Sequence, residues 1–152
     1  MRFAVLLIVA LILRLFFAFA LYGNTDQYAY DEVAAILRDG GNVYSNTSRY
    51  NYSPAWQHVI SVGDMVSRRA GIPFHAALRG FLSVIDVLNA LLIAAIVRGR
   101  GEGHLAALVY TFNPGVILIV SFHGQFEGWA LLPLLGAVYL AARHSGADSQ
   151  AQ

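Results

Sequence analysis

Residues 3–22 read FAVLLIVALILRLFFAFALY, twenty residues broken by a single charge, Arg14. About 20 apolar residues in a helix cross the hydrocarbon core of a bilayer, whereas the apolar region of a cleavable secretory signal covers only about 7–15. The run therefore reads as a retained transmembrane helix. Directly after it, residues 23–54 read GNTDQYAYDEVAAILRDGGNVYSNTSRYNYSP, the longest hydrophilic passage of the chain. Four of the nine acidic residues fall in this passage, which marks it as the working surface.

The remaining sequence agrees with that start. The 152 residues are 57% apolar and 12% charged, and mean hydropathy is +0.55, the composition of a polytopic membrane protein. The expected fold class is all-α, with four transmembrane helices at about 3–22, 78–97, 104–122 and 127–142. They form one membrane module, with a large loop over 23–77 and a polar tail over 143–152, expected to be disordered. Within the loop, apolar spacing gives a helix over 31–39, opened by Asp31 and Glu32 and stopped by Gly40-Gly41. Residues 42–51 read as irregular backbone. Ser53-Pro54 reads as an N-cap and first helical position. The following segment is expected to lie at the membrane interface as an amphipathic helix, with Trp56, Val59, Ile60, Gly63 and Val66 on its apolar face and Gln57, Asp64 and Ser67 opposite.

Charge excludes several functions. The ten basic residues, all arginine, form no run and the net charge is +1, so nucleic acid is not an expected partner. Without cysteine there is no disulfide, thiolate metal site or cysteine nucleophile. No HExxH or comparable metal spacing is present; the cofactor is left open, a divalent metal being compatible with the carboxylates without being indicated. Arg2, Arg98, Arg100 and Arg143 share one side if the four spans alternate, which puts both termini in the cytoplasm and loop 23–77 outside; Arg68, Arg69 and Arg79 pull the other way.

Two charges lie deep inside the spans. Arg14 is eight residues before Tyr22 and Asp86 eight after Leu78. In antiparallel helices both then sit roughly 12 Å below the outer end. An unpaired charge there costs about 2.5–3.5 kcal/mol, so an Arg14–Asp86 ion pair is expected. Arg79, Ser83, Asp86 and Asn89 recur at helical spacing and give the second span one polar face. Asn113-Pro114-Gly115 breaks the third span.

Candidate catalytic groups are Asp26, held just outside the first span, and Glu127, with His123 one helical turn before it. A carboxylate tethered at the membrane surface can deprotonate an acceptor hydroxyl. The succession Tyr22-Gly23-Asn24-Thr25-Asp26, Gly41-Asn42-Val43-Tyr44 and Arg49-Tyr50-Asn51-Tyr52-Ser53-Pro54 resembles the first outer loop of GT-C membrane glycosyltransferases. It is particularly similar to mannosyltransferases that use a polyprenyl- or dolichyl-phosphate mannose donor. Phe81–Leu88 with Asp86 is similar to that family's second helix, and Asn113-Pro114-Gly115 through His123-Gly124-Gln125-Phe126-Glu127 to its third helix and following turn.

The resemblance implies transfer of a hexose, mannose foremost, from a polyprenyl-phosphate donor to an acceptor hydroxyl on the non-cytoplasmic face, with inversion. Asp26 would act at the acceptor and Glu127 would line the same cavity. Arg49 and Arg79 would meet lipid phosphate, since arginine offers a planar set of donors, and Tyr52, His123 and Gln125 would contact substrate. Family members carry further spans, so the resemblance also implies an N-terminal part of a longer fold, inactive alone or completed by a second membrane protein. The rival reading is a non-catalytic four-helix membrane protein that binds a partner or lipid through its outer loop.

Overall fold

The computed structural model describes residues 2–98 and 101–148, the last four by backbone alone. In order, the elements are α1 (Arg2–Ala20), α2 (Thr25–Arg38), α3 (Val43–Asn46), α4 (Pro54–Ala70), α5 (Phe74–Val97), α6 (Gly103–Thr111), α7 (Pro114–Ile117), a π-helical segment (Leu118–His123) and α8 (Glu127–Asp148). No strand occurs among the described residues.

By length and composition α1 and α5 can each cross a bilayer. The bent pair Gly103–Thr111 and Pro114–His123, turned by 51°, adds a third span if taken as one. The chain is thus an all-helical membrane protein. On α1 the residues Leu7, Ala10, Arg14 and Ala18, spaced by three or four, are buried, while Val5, Ile8, Ile12 and Phe16 point outward. That is the division expected of a helix with one protein-facing stripe in a lipid solvent.

Helix α5 is the centre, packed against α1, α4, α6 and α8. Its buried residues include Leu78, Arg79, Leu82, Ser83, Asp86 and Asn89, so the polar face read from the sequence points into the protein. Arg14 on α1 donates to Asp86 from Nε at 3.0 Å and Nη2 at 2.7 Å. The two side chains are fully buried, as the matched depths require. Tyr110 of α6 donates to the other carboxylate oxygen, a third partner that periodicity did not reveal. The break in the third span is made by Asn113, whose side chain accepts from the N–H groups of Gly115 and Val116 and so caps α7.

Four expectations are corrected. Helix α2 starts at Thr25, six residues earlier than expected, because Asn24 caps it by accepting from Asp26 N–H. Asp31 and Glu32 therefore do not open the helix; Asp31 accepts from Tyr22 and Gln27 instead. The passage 42–51 contains one helical turn, α3, capped by Asn42. The face that α4 buries is Trp56, Ile60, Asp64 and Ser67, packed against protein, whereas Val62 and Val66 are exposed. Asp64 tolerates that burial because Arg38 (2.6 Å) and Arg68 (2.9 Å) clamp it. Finally, the expected disordered tail is helical as far as Asp148; the last four residues, and Arg100 of the charge argument, lie outside the described residues.

Candidate functional site

Asp26 stands in the first turn of α2, four residues beyond Tyr22, where a carboxylate is favoured by the helix dipole. It is half-buried. Its Oδ2 accepts from the Gln125 side-chain amide and, at 3.3 Å, from Asn24 Nδ2. The Asn24 amide also donates to His123 Nδ1. Two segments 99 residues apart in sequence thus meet around one carboxylate. Among the described residues Oδ1 accepts no hydrogen bond, which leaves one oxygen of a fixed carboxylate open.

Backbone geometry brings these segments together. The π-helical segment ends at Gly124, whose φ of 75° lies in the left-handed region, and Gln125 N–H returns to Ile119 O at 3.1 Å. Across from it Gly23, at φ 106°, is so close to the chain that a Cβ would come 2.9 Å from Phe122 O. Side chains at either position would push the two halves apart.

Arg79 fastens the same junction. It is fully buried and donates to four carbonyls: His75 (3.2 Å), Phe122 (2.9 Å), Ala18 (2.8 Å) and Leu21. His75 lies one turn back on α5 itself; the other three carbonyls belong to the ends of α1 and of the π-helical segment, where helical bonding runs out and acceptors need outside donors. Every guanidinium nitrogen is committed, so Arg79 corrects the expectation of a phosphate ligand. It is a structural clasp. Arg49 is also away from the cluster, exposed and paired with Glu32 at 3.5 Å.

Over the cluster stands an aromatic wall. Tyr52 packs on Tyr30 and Phe126, with ring centroids 6.0 and 5.3 Å away. Trp56 meets Tyr30 at 5.7 Å, Phe126 at 5.8 Å and Trp129 at 6.4 Å. Glu127, first residue of α8, is exposed. Burial pushes the Tyr30 phenol above its ordinary range, helped by the neighbouring Tyr52 hydroxyl and then by the charges of Asp26 and Glu127.

Of the residues picked from the sequence, Asp26, His123 and Gln125 are joined by hydrogen bonds, and Tyr52 and Glu127 border them. Arg79 holds the junction beneath them through carbonyls, and Arg49 is paired with Glu32. Sequence reasoning missed Asn24 as a bridging group, and Tyr30, Trp56, Phe126 and Trp129 as a wall; the spacing of Tyr30 to Gln27 on α2 was the available signal. Among the described residues no three histidine or acidic side chains gather as a metal site. A cleft of about 320 Å³ between α1, α5 and α6, lined by Phe3, Leu91, Arg98 and His104, contains none of these groups. Comparison with protein families, curated proteins and solved structures finds no match to the chain.

Proposed function

We propose that the chain is a GT-C type glycosyltransferase module that moves a hexose from a polyprenyl-phosphate carrier to an acceptor hydroxyl. One observation carries this reading. Asp26, at the outer end of α1, has one oxygen held by Gln125 and Asn24 and the other free, beside an aromatic wall. The amide donors fix the carboxylate in place with its second oxygen open to an acceptor hydroxyl.

In this reading Asp26 accepts the proton of the acceptor hydroxyl as that oxygen attacks the anomeric carbon. The bond from the anomeric carbon to phosphate oxygen breaks, and polyprenyl phosphate leaves with the electron pair. Attack from the face opposite the leaving group inverts the anomeric centre. Glu127, across Tyr30, orients the hexose. The α1, α5, α6–π and α8 segments cross the bilayer in alternation, with both termini cytoplasmic and 23–77 outside. The cations for the donor phosphate come from further membrane helices, of a longer fold or of a second membrane protein, since Arg79 is committed elsewhere.

The test is transfer of labelled mannose from polyprenyl-phosphate mannose in membranes containing the chain and its partners. Asp26→Asn should lower it at least about 100-fold, in line with loss of a general base, while insertion is unchanged. Undiminished transfer rules out Asp26 as the base.

A further inference from the structure

The cleft of about 320 Å³ between α1, α5 and α6 lies at the end of the bundle opposite Asp26. Phe3 and Asp26 flank the two ends of α1, whose 19 residues rise about 1.5 Å each, so roughly 25 Å separates the cleft from the candidate site. One wall is a single stripe of α5. Leu91, Ala94, Ala95 and Arg98, spaced by three and four, run about 10 Å along the helix axis. The two alanines leave a furrow between Leu91, further into the span, and Arg98 at its end. The back is Gly103, buried where α6 meets α5 so closely that a Cβ would collide with the Ala94 carbonyl. On the α1 side Phe3 stacks on His104, with ring centroids 4.2 Å apart.

The charges of the cleft narrow its occupant. Among the described residues no hydrogen bond or ion pair reaches the Arg98 guanidinium or the His104 ring nitrogens. Within the spans, by contrast, Arg14 is matched by Asp86 and Arg79 by carbonyls. No acidic side chain lines the cleft among the described residues; Glu102, next to Gly103, is exposed and outside the lining. An unmatched cation at the end of a span, above an apolar furrow, suits a phosphate with hydrocarbon below it. Arginine offers phosphate oxygens a planar set of donors, and the imidazole adds a ring N–H. A head group carrying its own ammonium would set it beside Arg98 with no acid to pair it. Free phosphate would leave the furrow of Leu91, Ala94 and Ala95 unfilled.

We propose that this cleft holds one anionic phospholipid of the adjoining leaflet, its phosphate on Arg98 and His104 and the upper part of one acyl chain along Ala95, Ala94 and Leu91. Basic pockets between membrane helices hold anionic lipid heads by the same combination of cation and apolar wall. The bound lipid bridges the start of α1 to the α5–α6 pair. The site is separate from Asp26, and it stands whether or not the chain transfers a sugar.

The test is lipid retention. Purified protein, delipidated in a neutral detergent, is offered phosphatidylglycerol and phosphatidylcholine with the same oleoyl chains, and native mass spectrometry counts the lipids it keeps. The parent should keep one phosphatidylglycerol in preference to phosphatidylcholine by about fivefold, the factor that one arginine contributes at an anionic lipid surface. Arg98→Gln should bring that preference close to unity, whereas Arg69→Gln, exposed at the end of α4, should leave it unchanged. Ala95→Phe fills the furrow with the charge intact and should lose the lipid. Ala95 and Arg98 are both exposed, so these variants should keep the parent's unfolding temperature in the absence of lipid; if Ala95→Phe folds poorly, Arg98→Gln decides alone. Equal retention of the two lipids, undiminished preference in Arg98→Gln, or full retention in a folded Ala95→Phe would overturn the proposal. Displacement of the lipid by millimolar inorganic phosphate would also overturn it, and would make the cleft a site for the free anion.

Discussion

Replacing Asp86 by leucine tests the intramembrane core. The carboxylate accepts two bonds from Arg14 and one from Tyr110, and both members of the ion pair are fully buried. Asp86→Leu strands a guanidinium whose Nη1 already lacks a partner. Hydrogen bonds to charged groups are worth about 1.5–3 kcal/mol each, and removing one half of a buried pair costs about 3–5 kcal/mol in total. Arg14→Leu should cost less, because a carboxyl left alone can take up a proton and keep Tyr110, whereas a guanidinium cannot lose one. The double variant Arg14→Leu/Asp86→Leu should fall within about 1–2 kcal/mol of the parent, since an apolar pair of similar volume often replaces a buried ion pair at little cost. The coupling between the sites is then about 3 kcal/mol. Reversible unfolding in mixed micelles, with all four proteins compared, measures it. Costs that add to within about 0.5 kcal/mol would show that the two groups do not act as a pair.

Arg79→Gln should destabilise the protein by about 3 kcal/mol, because it removes most of the donors to four carbonyls, three of them at helix ends; unchanged stability with weaker polyprenyl-phosphate binding would return Arg79 to the phosphate. Burial raises the Asp64 carboxyl, but Arg38 and Arg68 outweigh it and hold the group below its ordinary value. With a folded value below the unfolded one of about 3.9, its contribution is present above that pH and lost as pH falls through the folded value. Acid unfolding curves below about pH 4 should therefore flatten in Asp64→Asn relative to the parent; identical slopes would contradict the clamp. The chain has no cysteine, so single substitutions report topology directly. Ser48→Cys should react with an impermeant maleimide added outside intact cells and His144→Cys only after permeabilisation, and the reverse pattern would invert the orientation.

Part of the fold set by hydrophobic length and charge depth was readable in advance, whereas the span expected over 127–142 is not among the described helices long and apolar enough to cross a bilayer. Twenty apolar residues gave α1, and equal depths gave Arg14 and Asp86 to each other. What escaped was governed by contacts between distant segments. Nothing local marks Asp64 as buried, because its burial depends on Arg38, which α2 brings from 26 residues away. Helix α2 began early because Asn24 serves as its cap. Arg79 misled for the opposite reason. An arginine at a membrane boundary suits phosphate and helix-end carbonyls equally, and only the convergence of α1 with the π-helical segment decides between them. At the site, Asp26, Gln125 and His123 could be named from the sequence, but the aromatic wall could not, since its rings come from α2, the 47–53 stretch, α4 and α8.

The central claim is that Asp26 is the base of a hexosyl transfer from lipid phosphate. The most direct measurement follows polyprenyl-phosphate mannose in membranes carrying the chain, counting mannosylated product and released polyprenyl phosphate together. The account predicts equal amounts of both from the parent protein, and neither above background from Asp26→Asn inserted to the same level. Equal transfer by parent and variant, or none by membranes that contain the folded parent and its partner helices, would contradict it.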